Sequence, residues 1–449
     1  MVNLMGSLRA FKPIRALVVG DFALDTYITG SVGRISPEAP VPILHVKEKK
    51  DIPGMAGNVA LNLASLGARV VAVGRLGEDV EGALLQKHLL EQGIETKEML
   101  KEKGFRTPVK TRMIASAQQL LRVDFEEIAP LSPLVETALI QKLSRLIQEV
   151  DVVAISDYKK GFLTKELTQE LIQEANRQGK VTLVDPKGND FSKYRGCTLL
   201  KPNLQEAYAA AQCERSTKLE EVAKRLLLQS ASKYLLITRS EEGMTLFEVS
   251  GHREDFKVEA REVKDVTGAG DTVLAMMTMG MGSGLLPATA AQLANVAASL
   301  AVQKLGCARV TLSQVAEQLL ALDHDHKIFM DEHLYALGQV LEGKTFTVLG
   351  LAEDQEMSTE LFYTIKRLRG KNPQHRLLIS LPKTKQGPLI PLLASLHEVS
   401  YIVLSSENLG DLFKTMPPHE VFLGAGDSLQ EITDPVQLLQ KLRSSQVRS

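Results

Sequence analysis

The chain has 449 residues, of which 44% are hydrophobic and 24% charged, and its formal net charge is −1. This length predicts two or more domains with large apolar cores, and the near-neutral charge disfavours binding to nucleic acid. The three cysteines are widely spaced and form no C-x-x-C pair, which is typical of free thiols in a reducing compartment. No apolar run approaches the roughly 20 residues of a membrane-spanning helix. We therefore expect a cytoplasmic protein without a nucleic-acid or membrane partner.

Short β-branched runs alternate with amphipathic stretches through the first part of the chain. This alternation predicts an α/β fold in which a parallel sheet has helices on both faces. The predicted strands lie at residues 16–20, 70–74, 152–155, 181–184 and 234–237. Two segments, about 27–51 and 106–126, instead have period-two patterns with prolines, and these patterns predict a small β lid.

The chain becomes polar at residues 322–327, and we place the end of the first domain at 325. A linker and helix over 326–344 would lead to a second α/β domain over 345–449. The predicted strands of this second domain lie at 346–349, 377–379 and 401–404.

Residues 338–345 match the P-loop pattern G-x-x-x-x-G-K-[ST]. A P-loop follows a strand and begins a helix, whereas here a helical pattern comes first and a strand pattern follows. We therefore predict a helix C-terminus and a turn, without phosphate binding.

The most informative segment is 265–271, which reads Asp-Val-Thr-Gly-Ala-Gly-Asp. Gly268, Ala269 and Gly270 have little or no side chain, so backbone N–H groups can converge at the start of the apolar run that follows. A helix N-terminus of this kind favours an anion. Asp271 would lie beside that anion, where it can take a proton from a hydroxyl group that attacks the terminal phosphate of a nucleotide. The segment therefore predicts phosphoryl transfer.

Two further segments support a nucleotide site. Asn203 and Glu206 are three residues apart at a predicted helix start, where their oxygen atoms suit Mg²⁺ bound through water. Taken alone, the same pair favours a helix-capping box. Residues 238–243 then supply a hydroxyl, a cation and a glycine directly after a predicted strand, and the strand ends of a parallel sheet are where nucleotides bind.

These residues belong to a set of segments that resembles the ribokinase superfamily of carbohydrate kinases. Within that superfamily, the chain is similar to the kinase half of the bifunctional heptose 7-phosphate kinase/heptose 1-phosphate adenylyltransferases. The resemblance covers about residues 15–320 and depends on the blocks 20–25, 34–42, 156–161, 185–188, 201–206, 238–244 and 265–271. It implies a ribokinase-like doubly wound sheet with a small β lid, followed by a smaller Rossmann-like, nucleotidyltransferase-like domain. The block 34–42, Arg-Ile-Ser-Pro-Glu-Ala-Pro-Val-Pro, is the one that indicates a heptose.

The resemblance also implies the roles of individual residues. Asp271 would be the catalytic base, and Gly268, Ala269 and Gly270 would bind the transferred phosphoryl group. The implied ATP site comprises Asn203, Leu204, Gln205, Glu206, Thr238, Arg239, Gly243 and Asn295, with Mg²⁺ held through water by Glu206 and Asn203. The implied contacts to the sugar are Asp25, Gly54, Asn58 and Asp157. Candidate cations for the phosphate of the substrate are Lys110, Arg112, Arg122, Lys160 and Lys187.

Two departures from the family pattern concern the sugar site and the second domain. Met55 stands where the family usually has a glycine, and it would narrow the approach of the backbone to the sugar. In the second domain, the family has a His-x-Gly-His motif after the first strand, whereas an ungapped alignment places Glu356-Met357-Ser358-Thr359 there. Leu423 likewise replaces the family's lysine before Gly-Gly-Asp. We therefore predict a degenerate domain, retained for packing, dimer support or an interaction, with histidines 375, 397 and 419 as surface or packing residues.

The leading hypothesis is ATP-dependent phosphorylation of D-glycero-β-D-manno-heptose 7-phosphate at O1, in the biosynthesis of ADP-heptose and the lipopolysaccharide core. Three alternatives stay open: a bifunctional kinase and adenylyltransferase, a ribokinase-like kinase for another sugar phosphate, and a non-enzymatic scaffold. Asp271 and Glu206 argue against the scaffold. Because the predicted lid sheet has an exposed edge to protect, we also expect a homodimer formed through the lids.

Overall fold

The computed structural model describes residues 8, 10–115, 118–258, 263–304, 306–307, 309–322, 327–330, 334–352, 355–382, 388–404, 409–425 and 428–432. Contacts along the chain divide it into two compact units, Pro13–Thr311 and a second unit that comprises Met1–Lys12 with Leu312–Ser449. The boundary between the units lies after Thr311, whereas the polar segment of the sequence suggested a domain boundary at residue 325. The helix Leu312–Leu322 therefore groups with the second unit.

The strands of the described residues are numbered here in chain order. They are β1 (Arg15–Gly20), β2 (Phe22–Ile35), β3 (Pro42–Met55), β4 (Arg69–Val73), β5 (Arg75–Gly77), β6 (Leu100–Glu102), β7 (Val109–Ala115), β8 (Gln118–Phe125), β9 (Val152–Ser156), β10 (Val181–Asp185), β11 (Leu199–Leu200), β12 (Tyr234–Thr238), β13 (Met244–Glu248), β14 (Arg253–Phe256), β15 (Ile328–Met330), β16 (Phe346–Leu351), β17 (Arg376–Leu381), β18 (Tyr401–Leu404), β19 (Glu420–Ala425) and β20 (Ser428–Glu431).

The α-helices of the first unit are Ala56–Ser65, Val80–Glu91, Pro133–Gln148, Lys165–Arg177, Leu204–Ala210, Leu219–Ser230, Ala269–Gly282 and Pro287–Ala301. Those of the second unit are Leu312–Leu322, Leu334–Leu341, Thr359–Lys371, Leu389–Ser395 and Leu409–Thr415. Within the described part of the chain, no helix is both long enough and apolar enough to cross a membrane.

The main sheet of the first unit has the order β14-β13-β12-β11-β10-β9-β1-β4 within the described residues. Its strands are parallel from β12 to β4, and β13 and β14 are antiparallel. Leu17 and Val19 of β1 belong to a core that includes residues of the helices Pro133–Gln148 and Lys165–Arg177. The helices Ala56–Ser65 and Ala269–Gly282 also contact the central strands. The continuous apolar strands fit a parallel sheet that is buried on both faces, and the five predicted strands are confirmed.

The lid segments form a separate sheet with the order β3-β2-β7-β8. Strand β2 is buried from Phe22 to Tyr27 and becomes increasingly exposed towards Ile35, so it leaves the core and continues as the lid. Strands β2 and β7 are parallel, and each pairs with an antiparallel partner. The sheet predicted from the period-two patterns is therefore present.

The sheet of the second unit has the order β15-β18-β17-β16-β19-β20 among the described residues. It is parallel apart from β20, and the three strands predicted from the sequence are confirmed. The helix Leu334–Leu341 precedes β16, and Gly343 between them has a φ of 71°. The P-loop-like segment is thus a helix end and a turn, as predicted.

Candidate active site

Asp271 lies in the first turn of the helix Ala269–Gly282 and is buried. The helix begins after Gly268, whose φ of 79° is in the left-handed region that favours glycine. Both carboxylate oxygens of Asp271 accept hydrogen bonds, one from Asn58 Nδ2 at 2.8 Å and one from the Tyr158 hydroxyl at 2.7 Å. Asn58 is in turn oriented by Asn62, whose Nδ2 donates to Asn58 Oδ1 at 3.2 Å. The carboxylate is therefore held in one orientation.

Burial raises the pKa of Asp271 above its ordinary value. Hydrogen bonds from Asn58 and Tyr158 and the charge of Lys201 oppose this effect, and the nearby charge of Asp25 adds to it. A carboxylate with a raised pKa accepts a proton more readily than an ordinary aspartate, and this property suits a general base.

A cavity of about 500 Å³ opens beside the start of this helix. Its lining includes apolar residues such as Val273, Ala298 and Val302, together with polar residues at the strand ends. The predicted site residues that line it are Asn203, Glu206, Thr238, Gly243, Ala269, Gly270, Asn295, Asp157 and Lys187. An apolar wall with converging polar groups suits a purine ring and its phosphates.

Three residues predicted for the ATP site are absent from the described lining of this cavity, namely Leu204, Gln205 and Arg239. Arg239 instead forms ion pairs with Glu242 and with Asp255, the latter at 3.3 Å. Its guanidinium also donates to Thr245 Oγ1 at 3.1 Å. These contacts anchor the strand end at Thr238 and tie it to β13 and β14.

Asn203 and Glu206 form a capping box at the start of the helix Leu204–Ala210. The backbone N–H of Glu206 donates to Asn203 Oδ1 at 2.9 Å, and that of Asn203 donates to Glu206 Oε2 at 3.0 Å. The other oxygen of Glu206 accepts from Lys187 Nζ at 2.6 Å. The capping interpretation is confirmed. Because an ionised carboxylate has about four lone-pair sites, Glu206 keeps capacity for further ligands.

The structure adds Asp185 and Lys201, to which the sequence analysis gave no role. Lys201 Nζ lies 3.0 Å from Asp185 Oδ2, and only 3% of the Lys201 side chain is exposed. Burial raises the pKa of Asp185 to about 7, against the opposing charge of Lys201. An ideal Cβ at Gly270 would lie 3.5 Å from Lys201 Nζ, so the ammonium group is next to the helix N-terminus predicted to bind phosphate.

Asp25 lies on the lid side of the site and is buried. Arg112 donates to Asp25 Oδ1 at 2.6 Å, and Cys307 Sγ lies 3.5 Å from Asp25 Oδ2. An ideal Cβ at Gly54 would lie 2.2 Å from Asp25 Oδ2, so only glycine leaves this carboxylate in place. Met55, at the family's glycine position, has a φ of 56°, which places a bulky residue in the left-handed region.

Each of the cations predicted for the substrate phosphate faces a carboxylate. Lys110 and Lys160 both contact Glu126, Arg122 contacts Asp124, Arg112 contacts Asp25 and Lys187 contacts Glu206. Lys187 thus lies in the cavity beside the helix Ala269–Gly282, whereas Lys110 and Lys160 meet at the base of the lid. Asp157 accepts from Lys193 Nζ at 2.5 Å and from the Tyr194 hydroxyl at 2.8 Å, so its carboxylate is already engaged.

The second unit has no basic side chain within its described residues 355–358, where the family motif would fall. Ser358 Oγ instead accepts from the backbone N–H of Leu361 at 3.1 Å and caps the helix Thr359–Lys371. His375 and His419 precede β17 and β19, and their rings pack edge to face with centroids 4.6 Å apart. They are therefore at the amino ends of the strands, opposite the ends where nucleotides bind. Gly426 and Asp427 lie outside the described residues.

Comparison with known proteins shows the family to which the chain belongs and supports the fold. The model of the pfkB family carbohydrate kinases matches residues 16–314. A protein of Trichlorobacter lovleyi named Bifunctional protein HldE is 46% identical over 319 residues, which are 70% of this chain and 65% of that protein. Proteins with the same name from Shewanella piezotolerans and Syntrophotalea carbinolica are 39% and 35% identical, over 90% and 96% of this chain and 87% and 91% of theirs.

Solved structures at lower identity share the fold. A putative ribokinase from Agrobacterium tumefaciens is 20% identical with a TM-score of 0.57, and the match covers 69% of this chain and 99% of that one. Arabidopsis thaliana ribokinase, solved with ribose and ATP, is also 20% identical, with a TM-score of 0.54 and the same shares of the two chains covered.

Proposed function

Because the chain belongs to the pfkB family of carbohydrate kinases, we propose that it transfers the γ-phosphoryl group of ATP to the anomeric hydroxyl of D-glycero-β-D-manno-heptose 7-phosphate. The product is the 1,7-bisphosphate, on the route to ADP-heptose and the lipopolysaccharide core. The relatives named Bifunctional protein HldE, at 35% to 46% identity, support this substrate. So does the segment 34–42, which resembles the heptose kinases and lies in the lid strand β2 and the connection to β3.

The observation that carries the proposal is the position of Asp271. Its carboxylate follows Ala269 and Gly270, which line the 500 Å³ cavity, and it accepts hydrogen bonds from Asn58 and Tyr158. These two donors hold the base in place, and burial raises its pKa. Asp271 then takes the proton of the anomeric hydroxyl as that oxygen attacks the γ-phosphorus.

The negative charge that spreads over the phosphoryl oxygens meets the backbone N–H groups at residues 268–270 and the ammonium of Lys201. Mg²⁺ would be held through water by Glu206 and Asn203, and when bound it neutralises charge on the nucleotide phosphates. The donor set suits this hard cation, because Glu206 and Asn203 both present oxygen atoms at the cavity wall.

The lid sheet excludes water from the site, so that ATP is not simply hydrolysed. Its edge strand β8 exposes Leu121 by 53% and Phe125 by 42%. An edge strand with exposed apolar side chains needs a partner, and we propose a homodimer formed through the lids. The three cysteines are free thiols, and this supports a cytoplasmic site of action for an enzyme that uses ATP.

A coupled assay of ADP release with three sugars tests the substrate assignment. We expect turnover with heptose 7-phosphate and little or none with fructose 6-phosphate or ribose. Equal or faster turnover with fructose 6-phosphate would move the chain to another sugar-phosphate kinase of the same family.

A second candidate function is the bifunctional one, kinase and heptose 1-phosphate adenylyltransferase. The observation in its favour is that alignments with the Shewanella and Syntrophotalea relatives cover 90% and 96% of this chain and so extend into its second unit. The capped helix start at Ser358 argues against it. Release of pyrophosphate from ATP or CTP in the presence of heptose 1-phosphate separates the two candidates.

A further inference from the structure

We propose that Lys110 and Lys160 form the subsite for the phosphate group of the sugar substrate, and that Glu126 occupies this subsite until the substrate displaces it. The inference rests on the proposed function, since it concerns how a kinase of this family selects a phosphorylated sugar.

The geometry of the three side chains is that of an occupied anion site. Lys110 Nζ lies 3.1 Å from Glu126 Oε2, and Lys160 Nζ lies 2.6 Å from Glu126 Oε1. The two lysine side chains are only 17% and 14% exposed. Two ammonium groups that converge on the two oxygens of one carboxylate are also spaced to bind two oxygens of one phosphate.

The position of the pair suits a group attached to the sugar. Lys110 on β7 is the register partner of Asp25 on β2, so the two residues are neighbours on one face of the lid sheet. Lys160 follows Tyr158 by two residues, and the hydroxyl of Tyr158 donates to Asp271. The subsite therefore lies between the lid carboxylate and the loop that supports the catalytic base.

Backbone packing holds the two lysines together. The segment after β8 crosses the loop at Gly161, where an ideal Cβ would lie 2.1 Å from the carbonyl oxygen of Ala129. The buried guanidinium of Arg75 donates to the carbonyls of Ala129, Pro130 and Lys160, the last two at 3.5 and 3.4 Å. These hydrogen bonds join the segment that follows β8 to the loop that contains Lys160, and so they place Glu126 beside Lys160.

The other candidate cations have different roles in the structure. Arg112 holds Asp25 at 2.6 Å, and Lys187 holds Glu206 in the nucleotide cavity. Arg122 pairs with Asp124, and 52% of its side chain is exposed. Lys110 also shares Asp124 with Arg122. Because the Arg122 side chain is exposed, the lysine pair on Glu126 is the one in which both cations are largely buried.

The charges of the cluster explain why Glu126 has to leave. Lys110, Lys160 and Arg122 face two carboxylates, Asp124 and Glu126, which leaves one excess positive charge. Without Glu126 the excess is two, which matches a phosphate dianion. Although burial alone would raise it, the pKa of Glu126 is lowered by hydrogen bonds from Lys160 and Lys110. Glu126 is therefore ionised at neutral pH and competes as an anion.

The test compares Glu126→Gln with Glu127→Gln, its exposed neighbour, in the full-length protein. Removal of the competing charge should lower KM for heptose 7-phosphate several-fold in Glu126→Gln and leave it unchanged in the control. Lys110→Met and Lys160→Met should each raise that KM about 10- to 100-fold, the effect of losing a hydrogen bond to a charged group. KM for ATP should stay the same in all four variants and thereby report intact folding.

Inorganic phosphate, titrated by calorimetry, gives a readout that does not depend on turnover. We expect tighter binding in Glu126→Gln and weaker binding in both lysine variants. If the wild-type protein does not phosphorylate heptose 7-phosphate but phosphate binding follows this pattern, the heptose assignment fails and the subsite stands. If the protein is active and neither KM nor phosphate affinity responds to the lysine substitutions, the subsite is overturned. A raised KM in Glu126→Gln would show that Glu126 positions the lysines and does not compete with substrate.

Discussion

The two units contain parallel sheets of similar construction, but the residues at the carboxyl ends of their strands differ in polarity. In the first unit, β10 ends at Asp185, β11 is followed by Lys201 and β12 ends at Thr238, and all three residues line one cavity. In the second unit, β17 and β18 end at the buried residues Leu381 and Leu404. A parallel sheet offers a binding crevice at the carboxyl ends of its strands, and the side chains at these ends determine whether the crevice can bind or catalyse.

The helices that face these edges differ in the same way. No side chain caps the helix Ala269–Gly282 at Gly268, so its N-terminus is open to an anion. Ser358 Oγ caps the helix Thr359–Lys371 and already accepts from one of its free N–H groups, that of Leu361. Both helices carry an acidic residue in the first turn, Asp271 and Glu360, so the difference lies in the cap, which leaves fewer free N–H groups for an anion at the second helix.

The substitution Asp271→Asn should have the largest effect on the active side of this comparison. The amide fills the same space but cannot accept a proton, so kcat should fall about 10²- to 10⁴-fold, the usual contribution of a general base. ATP affinity, measured by calorimetry, should stay near the wild-type value. Asp411→Asn, which changes an exposed carboxylate of the second unit, is the control. A loss of kcat below tenfold would remove Asp271 from the catalytic role.

Local patterns in the sequence predicted much of this active unit. Strands β1, β4, β9, β10 and β12 follow from their apolar runs, and the capping box at Asn203 and Glu206 follows from a three-residue spacing. Contacts between residues distant in sequence were not predictable in the same way. Lys201 meets Asp185 because β10 and β11 are neighbours, with Lys201 N–H bonded to the carbonyl of Val184, and strand order cannot be read from periodicity. Glu126 meets Lys160 through backbone packing at Gly161, for which no local signal exists.

The substitution Gly54→Ala should sharpen the comparison on the sugar side. The added Cβ would lie 2.2 Å from Asp25 Oδ2, so the carboxylate of Asp25 must shift from its present position. A displaced carboxylate loses its hydrogen bond to the sugar, which is worth about 1.5–3 kcal/mol for a charged group, so kcat/KM for the sugar should fall roughly 10- to 100-fold. Gly33→Ala is the matched control in the same lid, because an ideal Cβ there meets nothing within 4 Å. Equal activity of the two variants would contradict the assignment of Asp25 to the sugar site.

A smaller effect is expected from Glu206→Gln, since glutamine keeps the capping hydrogen bond but removes the charge. The Mg²⁺ concentration that gives half-maximal activity should rise several-fold, while the melting temperature stays close to that of the wild type. Glu214→Gln, at an exposed position beyond the end of the same helix, controls for the loss of a charge. An unchanged Mg²⁺ requirement together with a lower melting temperature would restrict Glu206 to its capping role.

The last prediction concerns the second unit, for which we expect no nucleotidyltransferase activity. Supplied with heptose 1-phosphate, Mg²⁺ and ATP or CTP, the protein should release no pyrophosphate above background. The reason is local: residues 355–358 contain no cation to offset the charge of the leaving group, and the helix start there is already capped by Ser358. The kinase reaction of the same preparation is the positive control. Pyrophosphate release that depends on heptose 1-phosphate would falsify the degenerate assignment and make the chain bifunctional, with catalytic groups other than histidines in that motif.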